Sequence, residues 1–290
     1  MKAEKQDLIY LHIAVFLFGG TALFSQLITL SALDITVYRA AVAAFFLFGL
    51  LFVQKKQIRL NNKKDYGIAV LLGVIMGVHW VTYFAGMQMA GVTIGVIAFF
   101  TYPVITVFIE PLINKSTPKL KDVLSAAVVV LGIILLVPEV NLGNQVTLGI
   151  CTGVFSAFLF AIRNTLHKTY FNHYAGPHAM MYQALVACLV LCLFIDTPIS
   201  EISNLNWALI VIAGIIFTAL PHALFASSLQ SLSATTAGLI SCLQPLYGGV
   251  LAYLLLNENV SIYTLIGGAL VISAAFFETW SVSAKKKIKT

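Results

Sequence analysis

Charge is what this sequence has least of. Of its 290 residues only 10% are Asp, Glu, Lys or Arg, against 60% that are apolar. A soluble domain carries roughly 25% charged residues. Too few polar side chains remain to coat a water-facing surface of this size. The shortage all but excludes a soluble enzyme or a nucleic-acid binder, and the apolar content excludes disorder. Cysteine is scarce as well. Cys151, Cys188, Cys192 and Cys242 all lie inside apolar runs, where they read as small packing residues rather than a disulfide framework. There is no G-x-x-x-x-G-K-[ST] segment to cradle ATP, no H-E-x-x-H and no G-x-S-x-G. His167, His173 and His178 cluster near one loop, but their spacing fits no zinc pattern. The expectation is a non-enzyme with no metal and no cofactor.

What is there is a series of long apolar runs. A bilayer-crossing helix needs ~20 such residues, and ten candidates can be read. The first five are Leu8–Leu30, Ile35–Val53, Gly67–Ala85, Val92–Ile113 and Val123–Val137; the second five are Leu148–Phe171, Ala179–Ile195, Trp207–Ala226, Ala234–Leu256 and Ser261–Val282. Two of the breaks are nearly hidden in hydrophobicity, at Gly86–Gly91 and Ser227–Ser233. The first run is longer than a signal-peptide core and has no A-x-A-like site after it, so it is expected to be a retained helix.

The loops lack cations on one side. Numbered alternately from a cytoplasmic N-terminus, one set of loops and termini holds fifteen Lys and Arg residues, from Lys2 to Lys289. The other set holds only acids such as Asp34, Glu139, Asp196, Glu201 and Glu258. Positive charge marks the cytoplasmic side, so both termini are expected there, in a multi-pass protein of a bacterial inner membrane.

A shift of 142 residues lays Phe16-Leu17-Phe18 on Phe158-Leu159-Phe160, Thr93 on Thr235 and Pro103 on Pro245. It also lays one hidden break on the other. A duplication is expected, with repeats at 1–142 and 143–290. Five spans is an odd number, so the halves insert with opposite orientation. Inverted repeats of this kind build secondary transporters that hold substrate near the midplane. The fold class is therefore an all-α integral membrane protein of ten helices in two inverted five-helix repeats.

With Arg39 in span two, Thr101-Tyr102-Pro103 in span four, Pro245 in span nine and Glu258 just after it, the chain resembles the EamA family of the drug/metabolite transporter superfamily. The resemblance covers essentially the whole chain and implies transport of small metabolites such as amino acids through a central cavity. One position departs from it. The offset puts Ser116 opposite Glu258, so the second acid common in the family is missing.

Polar groups inside a bilayer are costly and ask for a reason. The offset pairs Trp80 with His222, Tyr83 with Phe225, Tyr102 with Gln244, and Thr21 with Arg163; His79 and Asn164 lie beside two of these. These positions are candidate lining of one cavity. Arg163 either grips a substrate carboxylate with paired hydrogen bonds or snorkels to the headgroups. Arg39, near the outer end of its span, reads chiefly as a snorkelling or anchoring residue. His79 and His222 either bind substrate or relay a coupling proton, or they are hydrogen-bonded packing residues. Trp80, Tyr83 and Tyr102 stack on substrate or simply pack. Pro103 and Pro245 are kinks or hinges. Glu110 and Glu278 either take a coupling proton or meet solvent at the interface. Gly73-x3-Gly77, Gly91-x3-Gly95 and Gly149-x3-Gly153 permit close helix approach within the chain.

The expected function is secondary or facilitative transport of small organic metabolites, amino acids first and export before import, by alternating access. Alternatives are a carrier of drugs or larger nucleotide-linked metabolites and, further off, an intramembrane lipid-acting enzyme. Expected partners are a small-molecule substrate and the lipid bilayer, with a coupling proton as an option and no nucleic acid. Monomer and homodimer both stay open.

Overall fold

The computed structural model describes residues 2–136 and 144–247, with isolated positions beyond. Every regular element among them is helical. In chain order these are α1 (Lys2–Thr21), α2 (Phe24–Leu27), α3 (Ala32–Val53), α4 (Lys63–Ala90), α5 (Val92–Phe99), α6 (Tyr102–Ile113) and α7 (Leu120–Leu136). They continue with α8 (Asn144–Tyr170), α9 (Gly176–Leu191), α10 (Asn204–Gly214), α11 (Leu220–Ser228) and α12 (Ala234–Ser241). Serines start three of them. Ser31, Ser203 and Ser233 each accept a hydrogen bond from the backbone N–H three residues on, at 3.1, 3.2 and 3.0 Å, which satisfies one of the donors a helix start leaves free.

Seven helical stretches among the described residues are long and apolar enough to cross a membrane. They correspond to expected spans one to four and six to eight. The expected fifth span falls on the 17-residue α7. The ninth is described only through Tyr247, and the tenth lies outside the described residues apart from single positions. Glu258, Glu278 and the loop acid Glu139 also lie outside them. The outer surface is apolar, with Phe45 77% and Leu193 81% exposed. Water would not tolerate such a surface and lipid would, so this is a multi-pass membrane protein.

The first hidden break falls at Gly91, and α4 continues past the expected end at Ala85 to Ala90. The two glycines there do different things. Gly91 has φ +85°, a conformation costly for a residue with a side chain, and it ends the helix. Gly86 stays helical and lets α4 meet α8. A Cβ on Gly86 would sit 3.1 Å from the Gly149 carbonyl oxygen, and one on Gly149 would sit 2.6 Å from the Ala90 Cβ. Gly149→Leu is therefore expected to cost about 1–3 kcal/mol through overpacking, read as a lower Tm of the purified protein.

Proline governs two further breaks. Span four divides at Phe100-Thr101, just before Pro103. Proline has no N–H for the carbonyl four residues back, and Thr101 Oγ1 donates to the Ala98 oxygen at 2.7 Å as the chain tightens. In span eight, α10 and α11 are joined by a π-helical turn, Ile215–Ala219. Pro221 leaves the Phe217 carbonyl without its helical donor, and Thr21 Oγ1 donates to it at 3.1 Å.

Candidate functional site

A small cavity of about 30 Å³ lies where α1, α3, α4, α5, α8 and α11 converge. Helix α1 contributes Phe18 and Thr21, α3 contributes Arg39, and α4 contributes His79, Trp80 and Tyr83. Phe99, Phe160 and His222 come from α5, α8 and α11, and Gln244 closes the set.

Arg39 dominates the chemistry. Its residue is 1% exposed, so the side chain does not snorkel to the surface as the sequence suggested. The reason is local. The guanidinium carbon sits 4.8 Å from the centre of the Trp80 ring and 4.6 Å from that of Phe84, and aromatic faces attract cations. Nη1 donates to Thr218 Oγ1 at 3.2 Å. Thr218 belongs to the π turn, and its hydroxyl donates to the Ala213 oxygen at 2.7 Å, so its lone pair faces the arginine. Nε and Nη2 are buried with no partner among the described residues. Buried donors are nearly always paired, so these two stand out.

The histidines take defined roles. Trp80 Nε1 donates to His222 Nε2 at 3.0 Å. An indole nitrogen can only donate, so His222 is neutral and carries its proton on Nδ1. That atom too is buried and unpartnered among the described residues. Trp80 and His222, which the repeat offset pairs, are in direct contact. Ser156 Oγ donates to the His79 carbonyl at 3.0 Å. Its lone pair then accepts from His79 Nδ1 at 2.8 Å, which leaves Nε2 as the acceptor of that ring. His79 stacks on Phe160 with ring centres 4.7 Å apart.

Five of the eight candidate binding residues thus line this cavity: His79, Trp80, Tyr83, His222 and Gln244. Three stand elsewhere. Tyr102 is fully buried, stacked against Phe99 at 4.9 Å, and supports that ring from behind. Arg163 is engaged by its own neighbours. Its Nε donates to Gln183 Oε1 at 2.7 Å, Nη1 to Asn164 Oδ1 at 2.9 Å, and Nη2 to Met180 Sδ at 2.8 Å. Asn164 is likewise occupied by that bond. Pro103 starts α6, and Pro245 follows Gln244 and is half-buried. Arg39, Phe18, Phe99 and Phe160 were not expected in the site. One signal for Arg39 was available: span two, Ile35–Val53, carries no Asn or Gln to occupy the guanidinium.

Glu110 lies outside the cavity. Its two carboxylate oxygens accept the backbone N–H groups of Ala234 and Thr235 at 2.9 and 2.7 Å, at the electropositive start of α12. The same end is fastened by Lys168, whose Nζ donates to the Leu229 and Gln230 oxygens at 2.8 and 3.1 Å, and by Ser231, which donates to Asp7. Tyr174 anchors the adjacent loop. Its hydroxyl donates to Asp65 at 2.6 Å, and its burial and that carboxylate push its phenol above the usual range. Glu110→Gln turns an amide N–H toward one of the two backbone donors. It is expected to cost about 1.5–3 kcal/mol, measurable as a lower Tm.

The EamA-like transporter family model matches residues 7–137 and 147–280. An uncharacterized transporter of Bacillus subtilis, YxxF, is 24% identical over 280 residues, covering 94% of this chain and 89% of its own. An uncharacterized inner membrane transporter of Salmonella typhimurium, YicL, is 23% identical over 290 residues, covering 94% and 95%. One solved crystal structure superposes with a TM-score of 0.77 at 13% identity, over 97% of this chain and 98% of its own. At that identity the likeness speaks to the fold alone.

Proposed function

Because this chain belongs to the EamA-like transporter family, we propose that the cavity around Arg39 is its transport site and that it carries small organic metabolites bearing a carboxylate. The observation that carries this reading is the Arg39 guanidinium, buried in the cavity with two of its nitrogens, Nε and Nη2, unpartnered among the described residues. A planar guanidinium can hold a carboxylate through two parallel hydrogen bonds. His222 Nδ1 is a further free donor, and Gln244 brings an amide to the same wall. The role first considered for Arg163 passes to Arg39, since Arg163 is already bound by Gln183, Asn164 and Met180.

In this reading ten helices form two inverted repeats in a bacterial inner membrane, with both termini cytoplasmic. The repeats rock about the cavity, exposing it to one side and then the other. The contact between Trp80 and His222, one from each half, supports such an axis, as does the match of the family model to two successive stretches. Glu110, holding the start of α12 from α6, would then be one of the contacts that part and reform. No acid lines the cavity among the described residues, and a lipid-acting hydrolase would want one beside its histidines.

The test is metabolite profiling of cells and medium, comparing wild type with Arg39→Gln at matched membrane levels. Metabolites displaced only by the wild type would name the substrate class and give the direction. Identical profiles from two properly inserted proteins would overturn the assignment of this cavity.

A further inference from the structure

We propose that the species carried is a net monoanion, an organic carboxylate with an apolar or aromatic body and no ammonium group. The inference rests on the reading of this cavity as the transport site and narrows its substrate. Among the described lining residues Arg39 is the one carrying a permanent charge, and none is Asp or Glu. His222 is held neutral by the hydrogen bond from Trp80, and a proton on His79 would only add positive charge.

Neither nearby acid is seen to pair with Arg39 among the described residues. Asp34 stands more than one helical turn from Arg39, at the start of α3, where Oδ1 accepts the Asp196 N–H at 3.0 Å and Oδ2 is buried without a partner among the described residues. Glu110 holds the start of α12. Among the described residues the site therefore presents one buried, uncompensated cation inside a membrane protein, where an unpaired charge is most costly.

A monoanion cancels that charge. A zwitterion places its carboxylate on Arg39 equally well, but it also brings an ammonium group into the same cavity. No carboxylate among the described lining residues receives it; the acceptors there, His79 Nε2 and Gln244 Oε1, are uncharged, and the Trp80 and Phe84 faces are already occupied by Arg39. A cation is repelled outright. Phe18, Phe99 and Phe160 supply the apolar wall for the body of the ligand. Specificity is a difference of affinities, and here the unmatched ammonium creates it.

The experiment uses the full-length protein, in calorimetry for binding and in proteoliposomes for uptake. The probes are two matched sets. Phenylpropionate, L-phenylalanine and phenethylamine share one body; isocaproate, L-leucine and isoamylamine share another. In at least one set the carboxylate should bind at least about tenfold tighter than the amino acid, or ~1.4 kcal/mol, with the amine weakest. Arg39→Gln should erase that order, while Arg39→Lys, which restores the charge, should keep it at lower affinity. Tighter or equal binding of the amino acids, still lost in Arg39→Gln, would overturn the charge inference and leave the transport-site reading standing. No binding of any probe, or binding unchanged in Arg39→Gln, would overturn both.

Discussion

Arg39→Gln is expected to reduce transport at least about thirtyfold while leaving the protein about as stable as the wild type. Losing the charged partner of a buried, hydrogen-bonded carboxylate costs about 2–5 kcal/mol, and each ~1.4 kcal/mol is a factor of ten. The folded protein loses far less. Among the described residues Arg39 makes one hydrogen bond, to Thr218, and contacts the Trp80 and Phe84 faces, while Thr218 keeps its own bond to the Ala213 oxygen. The substitution also removes a cation whose Nε and Nη2 are buried without partners. A residue that harms stability and serves function is a common signature of a binding site. Arg39→Lys keeps the charge but not the planar pair of donors, so it should fall between wild type and Gln. Uptake by reconstituted protein, with Tm measured on the same samples, separates the two effects. Full transport by Arg39→Gln would remove Arg39 from the site.

The sequence discloses the membrane class and most of the helix plan because those follow from composition and length. It also marks His79, Trp80, Tyr83, His222 and Gln244, because an apolar chain makes every polar group conspicuous and the offset of 142 brings Trp80 and His222 to one place. Choosing between the two intramembrane arginines required the fold. Arg163 is satisfied by Gln183 and Met180 from α9, residues about one helical hairpin away in sequence. Arg39 owes its unpartnered donors to the π turn at Ile215–Ala219, which turns a single hydroxyl, Thr218, toward it. A π turn has no strong local signature beyond the proline that follows. The aromatic wall was equally hidden. Phe99 and Phe160 look like any other apolar span residue until α5 and α8 meet beside His79. Glu110 shows a further limit, since a carboxylate that meets a helix start 124 residues away looks in sequence like a residue at the membrane interface.

Arg163→Ala should produce the opposite phenotype, loss of the protein rather than loss of the transport step. The side chain is fully buried, and its three nitrogens hold Gln183, Asn164 and Met180. Deleting it strands the Gln183 and Asn164 side-chain oxygens and opens a void between α8 and α9. Gln183 also reaches His167 Nδ1 at 3.3 Å, so the damage spreads along the network. The expected cost is roughly 2–5 kcal/mol, seen as a lower Tm and less protein in the membrane. Stability alone does not separate a structural residue from a binding one, so a second variant is needed. Replacing a buried polar network by apolar groups of similar shape is often nearly neutral, whereas breaking it from one side is not. Arg163→Met combined with Gln183→Met should therefore recover most of the lost stability. If Arg163 only braces α8 against α9, the double variant transports at close to the wild-type rate per inserted molecule. If transport stays lost while the Tm returns, Arg163 acts on substrate after all, and the division of labour between the two arginines is reversed.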